Sequence, residues 1–151
     1  METQTAPAGT CSSLAELGRK YGSDKPVQYA PFYDLLFASR QASVRSVFEI
    51  GIFKGGSLRM WRDYFFRAHI YGMDINPETI FNEERISTFQ GDQASAGAIL
   101  KIAESCGPFD LIVEDGSHKP DHQVMNAEIL MPFLNPDGLY IIEDVRIQEG
   151  H

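Results

Sequence analysis

Acidic residues recur at the ends of apolar runs in this chain. Residues 44–50 hold Glu49 near their end, and residues 70–75 hold Asp74. Residues 86–90 are followed by Gly91-Asp92, residues 109–113 by Glu114-Asp115, and residues 139–142 by Glu143-Asp144. One acid after an apolar run is ordinary punctuation. Acids repeated at the same end of every run suggest a site, because crowded like charges destabilise a fold unless something cationic offsets them. If the fourth and fifth runs are neighbouring strands, their backbones lie about 4.8 Å apart. Asp115, Glu143 and Asp144 can then share one ion, with oxygens about 2.1 Å from it in the case of Mg2+. An all-oxygen set favours Mg2+, Ca2+ or Mn2+ over Zn2+. On spacing alone, solvated loop acids or helix N-caps are an equal alternative. His118 follows Asp115 by three residues. An alcohol is a poor nucleophile at neutral pH, and an imidazole beside a metal-bound hydroxyl can take its proton. His118 is therefore a candidate base. His122 comes four residues later, but no Glu follows His118 as in HExxH, which disfavours a zinc pair. In a helix opened by Pro120, His122 would sit in the first turn and orient neighbours or cap. His69 and His151 receive no role.

The first run leads into Glu49-Ile50-Gly51-Ile52-Phe53-Lys54-Gly55-Gly56-Ser57. Its glycines allow a tight turn and a close approach of backbone to a ligand, and Ser57 can cap the next helix. A strand-to-helix turn without a ligand is the plainer alternative. The spacing is not the GxGxxG of dinucleotide pyrophosphate binders. Asp74 lies about 20 residues beyond the loop, where an acid can bind ribose hydroxyls. Acids around a small-molecule cleft also suit a positively charged sulfonium. The combination points to S-adenosyl-L-methionine rather than NAD.

The elements that must position these residues follow from the pattern. Ser13 and Glu16 form a capping box for a helix ending near Tyr21-Gly22, and a second helix is predicted over 32–38. From residue 44 the five apolar runs read as strands, with helices at 57–66, 94–104 and 121–134 between them. Such alternation implies right-handed crossovers and an α/β fold: a Rossmann-like, doubly wound parallel sheet of about five strands. Solid apolar runs fit strands buried on both faces, and ligands bind such sheets outside the carboxyl ends of the strands. The chain divides into a mobile tail at 1–12, a helical segment at 13–43 and the Rossmann-like domain at 44–151. Trp61, Tyr64, Phe65 and Phe66 have near-helical spacing and read as core. Tyr29, Phe32 and Tyr33 either cover the cleft as a lid or simply pack. Cys106 stands by a Gly107-Pro108 turn with no base paired to it.

The 151 residues make about one domain. Lys and Arg total 13 against 21 Asp and Glu, for a net charge of -8, which argues against nucleic acid and anionic membrane as partners. Two cysteines make neither a disulfide framework nor a zinc cluster, and a reducing, cytoplasmic setting is the default. No apolar run approaches the roughly 20 residues of a membrane span. The first ten residues lack the basic start and apolar core of a secretory signal.

Several segments together carry a family resemblance. Phe48-Glu49-Ile50-Gly51, Gly55-Gly56-Ser57-Leu58, Met60-Trp61, Ile70-Tyr71-Gly72-Met73-Asp74-Ile75 and Phe89-Gln90-Gly91-Asp92-Gln93 resemble a class I methyltransferase. Glu114-Asp115-Gly116-Ser117-His118, His122-Gln123, Tyr140-Ile141-Ile142-Glu143-Asp144 and the upstream Lys20-Tyr21-Gly22-Ser23-Asp24-Lys25 resemble, more narrowly, the macrocin and mycinamicin sugar O-methyltransferases of macrolide biosynthesis. Proteins labelled cephalosporin hydroxylase share much of this pattern, so the motifs do not name the acceptor.

The resemblance implies a Mg2+-dependent transfer of methyl from S-adenosyl-L-methionine to a hydroxyl of a small natural product, such as a macrolide sugar. It implies Glu49 and Gly51 beside the methionine part of the cofactor, with Gly55 and Ser57 in the same loop. Asp74 would bind the ribose, and Asp92 and Gln93 would lie near the adenine. Asp115, Glu143 and Asp144 would hold Mg2+, and His118 would be the base. A full enzyme of this class carries two further strands after the fifth, one of them antiparallel. The expectation is thus a C-terminally incomplete domain, working as a homo-oligomer or with a completing subunit. The alternative is a non-catalytic binding module that keeps the cofactor pocket.

Overall fold

Side chains alternate across each strand, and here both faces of the sheet are apolar. On β1 (Ser46–Ile50), Val47 joins one core while Phe48 and Ile50 join the other. The computed structural model describes residues 12–25 and 28–146. But for Ser12, the tail predicted at 1–12 lies outside the described residues. Two helices, α1 (Leu14–Tyr21) and α2 (Tyr29–Phe37), precede β1. After it come α3 (Gly56–Tyr64), β2 (His69–Asp74), β3 (Ile86–Gln90), α4 (Ala96–Cys106), β4 (Phe109–Glu114), α5 (Pro120–Leu130) and β5 (Leu134–Ile142).

The five strands form one sheet in the order β3-β2-β1-β4-β5, and every pair is parallel. One face packs Val47, Ile70 and Leu111 against Trp61, Tyr33 and Phe37 of α2 and α3, with Leu14 and Leu17 of α1. The other packs Phe48, Met73 and Ile112 against Ile99 and Ile102 of α4 and Leu130 of α5. The strand order reverses between β1 and β4, which opens a crevice at their carboxyl ends. The α/β, Rossmann-like parallel sheet read from the sequence is the observed fold.

Ser13 caps α1 as predicted, with Glu16 completing the reciprocal bond. α2 begins at Tyr29 rather than at 32. α3 is entered through Gly55 at φ +78, with no side-chain cap. Ser57 therefore lies inside the helix and is not its cap. α5 stops at Leu130 rather than at 134, and a 3-10 turn over Met131–Phe133 follows. Pro132 lacks a backbone N–H and disfavours helical geometry in the residue before it. β5 starts at Leu134, not at 139. Leu134 pairs with Phe109, the register slips, and Leu139 pairs with Leu111. The intervening Asn135-Pro136-Asp137-Gly138 reads locally as a turn, which hid the first half of the strand. Trp61, Tyr64 and Phe65 are core, whereas Phe66, past the end of α3, is 48% exposed.

Candidate active site at the carboxyl end of the sheet

A cavity of about 710 Å³ lies at the reversal point. Gly51, Asp74, Asp92, Gln93, Asp115 and His118 line it, and Glu143 and Asp144 lie at its border with β5. Glu49, Gly55 and Ser57 do not line it. Asp74 is turned onto the glycine loop. Its Oδ2 accepts from Ile52 N at 2.8 Å and Phe53 N at 3.3 Å, and its Oδ1 accepts from Asn76 N at 2.9 Å. A carboxylate has about four lone-pair sites, two on each oxygen, so Oδ2 is filled and acceptor capacity is left on Oδ1. Asp92 accepts from Ala94 N at 2.8 Å.

Behind the cavity an acid cluster is organised by a residue that spacing did not single out. The Lys25 ammonium lies 2.9 Å from Glu143 Oε2, 3.2 Å from Asp115 Oδ2 and 3.5 Å from Glu49 Oε1. Its side chain is 4% exposed. Burial pulls the Lys25 pKa down, but Glu49, Glu143 and Asp115 outweigh it and hold the ammonium above the usual lysine range. Burial pushes the Glu49 carboxyl up, against the pull of Lys25 and of its donors. Those donors are the Ser57 hydroxyl, on Oε1, and Trp61 Nε1, at 2.5 Å from Oε2. Burial pushes Asp115 up to about 6, with Lys25 opposing and Glu143 adding to the shift. The Tyr33 hydroxyl donates to Glu143 Oε1. Burial and the Glu143 charge raise the Tyr33 pKa. Tyr29 donates to Asp144 Oδ1 at 2.7 Å.

Two carboxylates and an imidazole converge beside the cavity, a donor set that can hold a metal ion. Asp115, His118 and Asp144 each present one ligand atom within 4.8 Å of the others. Glu143 stands beside them with both oxygens already engaged by Lys25 and Tyr33. His118 and Asp144 hold positive φ values of +58 and +54, sparsely populated for residues other than glycine. His118 Nδ1 is buried without a hydrogen-bond partner among the described residues, while Nε2 lies 4.0 Å from Asp144 Oδ2.

A second network fixes the loop that carries these residues. Glu114, fully buried, accepts from Gln93 Nε2 at 3.1 Å, Asn126 Nδ2 at 3.0 Å and Gly116 N at 3.3 Å. Gln93 Oε1 accepts from Ser117 N at 2.6 Å. The amide of Gln93 thus holds the Asp115–His118 loop at both its ends. Ser117 Oγ pairs with His122 Nδ1 at 2.8 Å. Sequence reasoning missed Lys25, Glu114 and Asn126 as site residues. Lys25 closes the Lys20–Lys25 motif, but nothing local announces partners 90 and 118 residues away.

This parallel sheet, with a glycine loop after β1 and an acid-rimmed cavity at the reversal point, is a methyltransferase architecture. The pattern of the family described as "Methyltransferase domain" matches residues 48–145, and the chain belongs to that family. Among characterised relatives, demethylmacrocin O-methyltransferase of Streptomyces fradiae is 38% identical over 156 residues, covering 95% of this chain and 40% of the relative. The 8-demethyl-8-alpha-L-rhamnosyl tetracenomycin-C 2'-O-methyltransferase of Streptomyces olivaceus is 38% identical over 142 residues, covering 88% of this chain and 38% of the relative. The solved MycE methyltransferase from the mycinamycin biosynthetic pathway, in complex with Mg, SAH and mycinamycin VI, superposes with a TM-score of 0.84 at 39% identity. That match covers 89% of this chain and 40% of MycE. The chain therefore spans 38–40% of the length of these relatives. Among the described residues, no helix is long and apolar enough to cross a membrane.

Proposed function

We propose that this chain carries the cofactor pocket and ion site of an S-adenosyl-L-methionine- and Mg2+-dependent O-methyltransferase, whose acceptor is a hydroxyl on a sugar of a small, macrolide-like natural product. The convergence of Asp115, His118 and Asp144 beside the cavity carries this reading. The relatives support the cofactor, the ion and the class of acceptor through their names and through the Mg and SAH bound in MycE.

When bound, the cofactor supplies an electrophilic methyl group and the ion a Lewis acid that makes the acceptor hydroxyl more acidic. Asp115 and Asp144 hold the ion, and Glu143 completes the set from its place on Lys25. His118 takes the hydroxyl proton on its imidazole. Gly51 borders the methionine end, and Glu49 supports that end from behind, through Ser57 and Trp61. Gly55 and Ser57 shape the loop. Asp74 holds the ribose while it also anchors the loop backbone. Asp92 lies beside the adenine, and Gln93, next to it, keeps the base loop in place.

The test is a methyl-transfer assay on a demethylated macrolide glycoside, with and without Mg2+, for wild type and His118→Ala. Loss of a general base costs roughly 100- to 10,000-fold in turnover, with cofactor affinity by calorimetry unchanged. Unchanged turnover removes His118 from the mechanism. Cofactor binding with no transfer under any condition favours a binding module instead.

A further inference from the structure

Lys25 is a charged side chain, 4% exposed, at the meeting point of three strand ends. It touches Glu49 on β1, Asp115 after β4 and Glu143 after β5. Two of these acids belong to the ion set proposed above. The lysine is carried by the loop that follows α1, and α2 adds two hydroxyls to neighbouring acids, Tyr33 on Glu143 and Tyr29 on Asp144. Segments from the N-terminal part of the chain thus engage every acid of the proposed ion set.

We propose that Lys25 is an affinity-determining residue for the divalent ion: a built-in cation that shares Asp115 and Glu143 with the incoming ion, so that ion binding and the docking of the Lys25 segment oppose each other. This inference rests on the divalent-ion reading of the site. An ammonium and a doubly charged ion drawing on the same carboxylates repel across a few ångströms, and partial burial leaves that repulsion poorly screened. Three acids against one ammonium leave the cluster negative, so a divalent ion is still attracted. The ammonium is also tethered, which gives it a high effective concentration at the acids. A free monovalent ion has no charge advantage over it, whereas a divalent ion does. Lys25 thereby keeps the buried acids paired when no ion is bound and biases the site towards divalent ions.

The full chain is titrated with MgCl2 and with MnCl2 by calorimetry, as wild type, Lys25→Met and Asp144→Asn. Lys25→Met is expected to bind the ions about tenfold more tightly or better. Equal or weaker binding overturns the inference, because Lys25 would then be neutral towards the ion or would help to build its site. A measurement on the wild type covers a Lys25→Met chain that fails to fold. Amide hydrogen exchange across residues 28–37 is expected to quicken when Mg2+ is added, and exchange that is unchanged or slower overturns the inference. Binding in the wild type that Asp144→Asn abolishes supports the divalent-ion reading whatever Lys25→Met shows. If no protein binds either ion, that reading falls and takes the inference with it.

Discussion

Gly51→Ala tests how tightly the glycine loop and the acid loop are fitted together. Gly51 leaves β1 at φ +97, and a Cβ there would lie 2.3 Å from the Asp115 carbonyl oxygen, 3.0 Å from its carbonyl carbon and 3.4 Å from Gly116 Cα. A carbon and an oxygen approach to about 3.3 Å at closest, so roughly 1 Å must be made between two backbones. Neither is free to yield. Gly51 N donates to Met73 O at 2.8 Å, and Asp115 N donates to Ile50 O at 3.0 Å. A side chain at positive φ costs about 1–2 kcal/mol, and overpacking a tight site costs about 1–3 kcal/mol. The sum is roughly 2–5 kcal/mol, or a Tm lower by on the order of 10 °C at about 2–4 °C per kcal/mol for a chain of this size. Moving the Asp115 backbone also moves its carboxylate, so Mn2+ affinity should fall together with stability. Calorimetric unfolding and a Mn2+ titration of the same preparation read both effects. A variant that melts within about 2 °C of wild type would refute the account of why a glycine stands here.

Other substitutions probe the supporting network and the helical segment. Glu114→Gln should destabilise by about 3 kcal/mol in urea unfolding, because three N–H donors converge on that carboxylate and an amide would turn an N–H2 towards at least one of them. A loss under about 1 kcal/mol would show that the network can rearrange. Asp63 accepts from the Tyr21 hydroxyl, from Arg62 Nε at 3.0 Å and from Lys20 Nζ at 3.4 Å, which ties α1 to α3. Burial alone would raise its pKa, but the Tyr21 and Arg62 hydrogen bonds outweigh burial and hold it below the ordinary 3.8. A carboxyl depressed on folding stabilises fully above its unfolded pKa, and that stability is lost as pH falls through the folded value. Wild type should therefore exceed Asp63→Asn by about 1 kcal/mol at pH 7, and the gap should close in strong acid. An equal gap at both ends of a pH series of melting curves would contradict this.

The order of elements was readable because its causes are local. The Ser13–Glu16 capping box, the apolar runs from residue 44 onward and the glycines after Glu49 each act over a few residues, so spacing along the chain reports them. The acids at the strand ends were readable for a related reason. In a parallel sheet every strand delivers its carboxyl end to the same rim, so Asp74, Asp92, Asp115 and Glu143 had to share an edge. What each side chain does on that edge was decided by the tertiary structure alone. Ser57 turns from a cap into a donor to Glu49 because Gly55 opens the helix. Gln93 lines the cavity and at the same time bonds Glu114 and Ser117 with its amide. Lys25 meets Asp115 and Glu143 only because folding brings the loop after α1 to the carboxyl rim of the sheet. A run of residues specifies its own backbone geometry, but the partner of a buried charge is chosen by distance in space, and that distance exists only once the crossovers have closed.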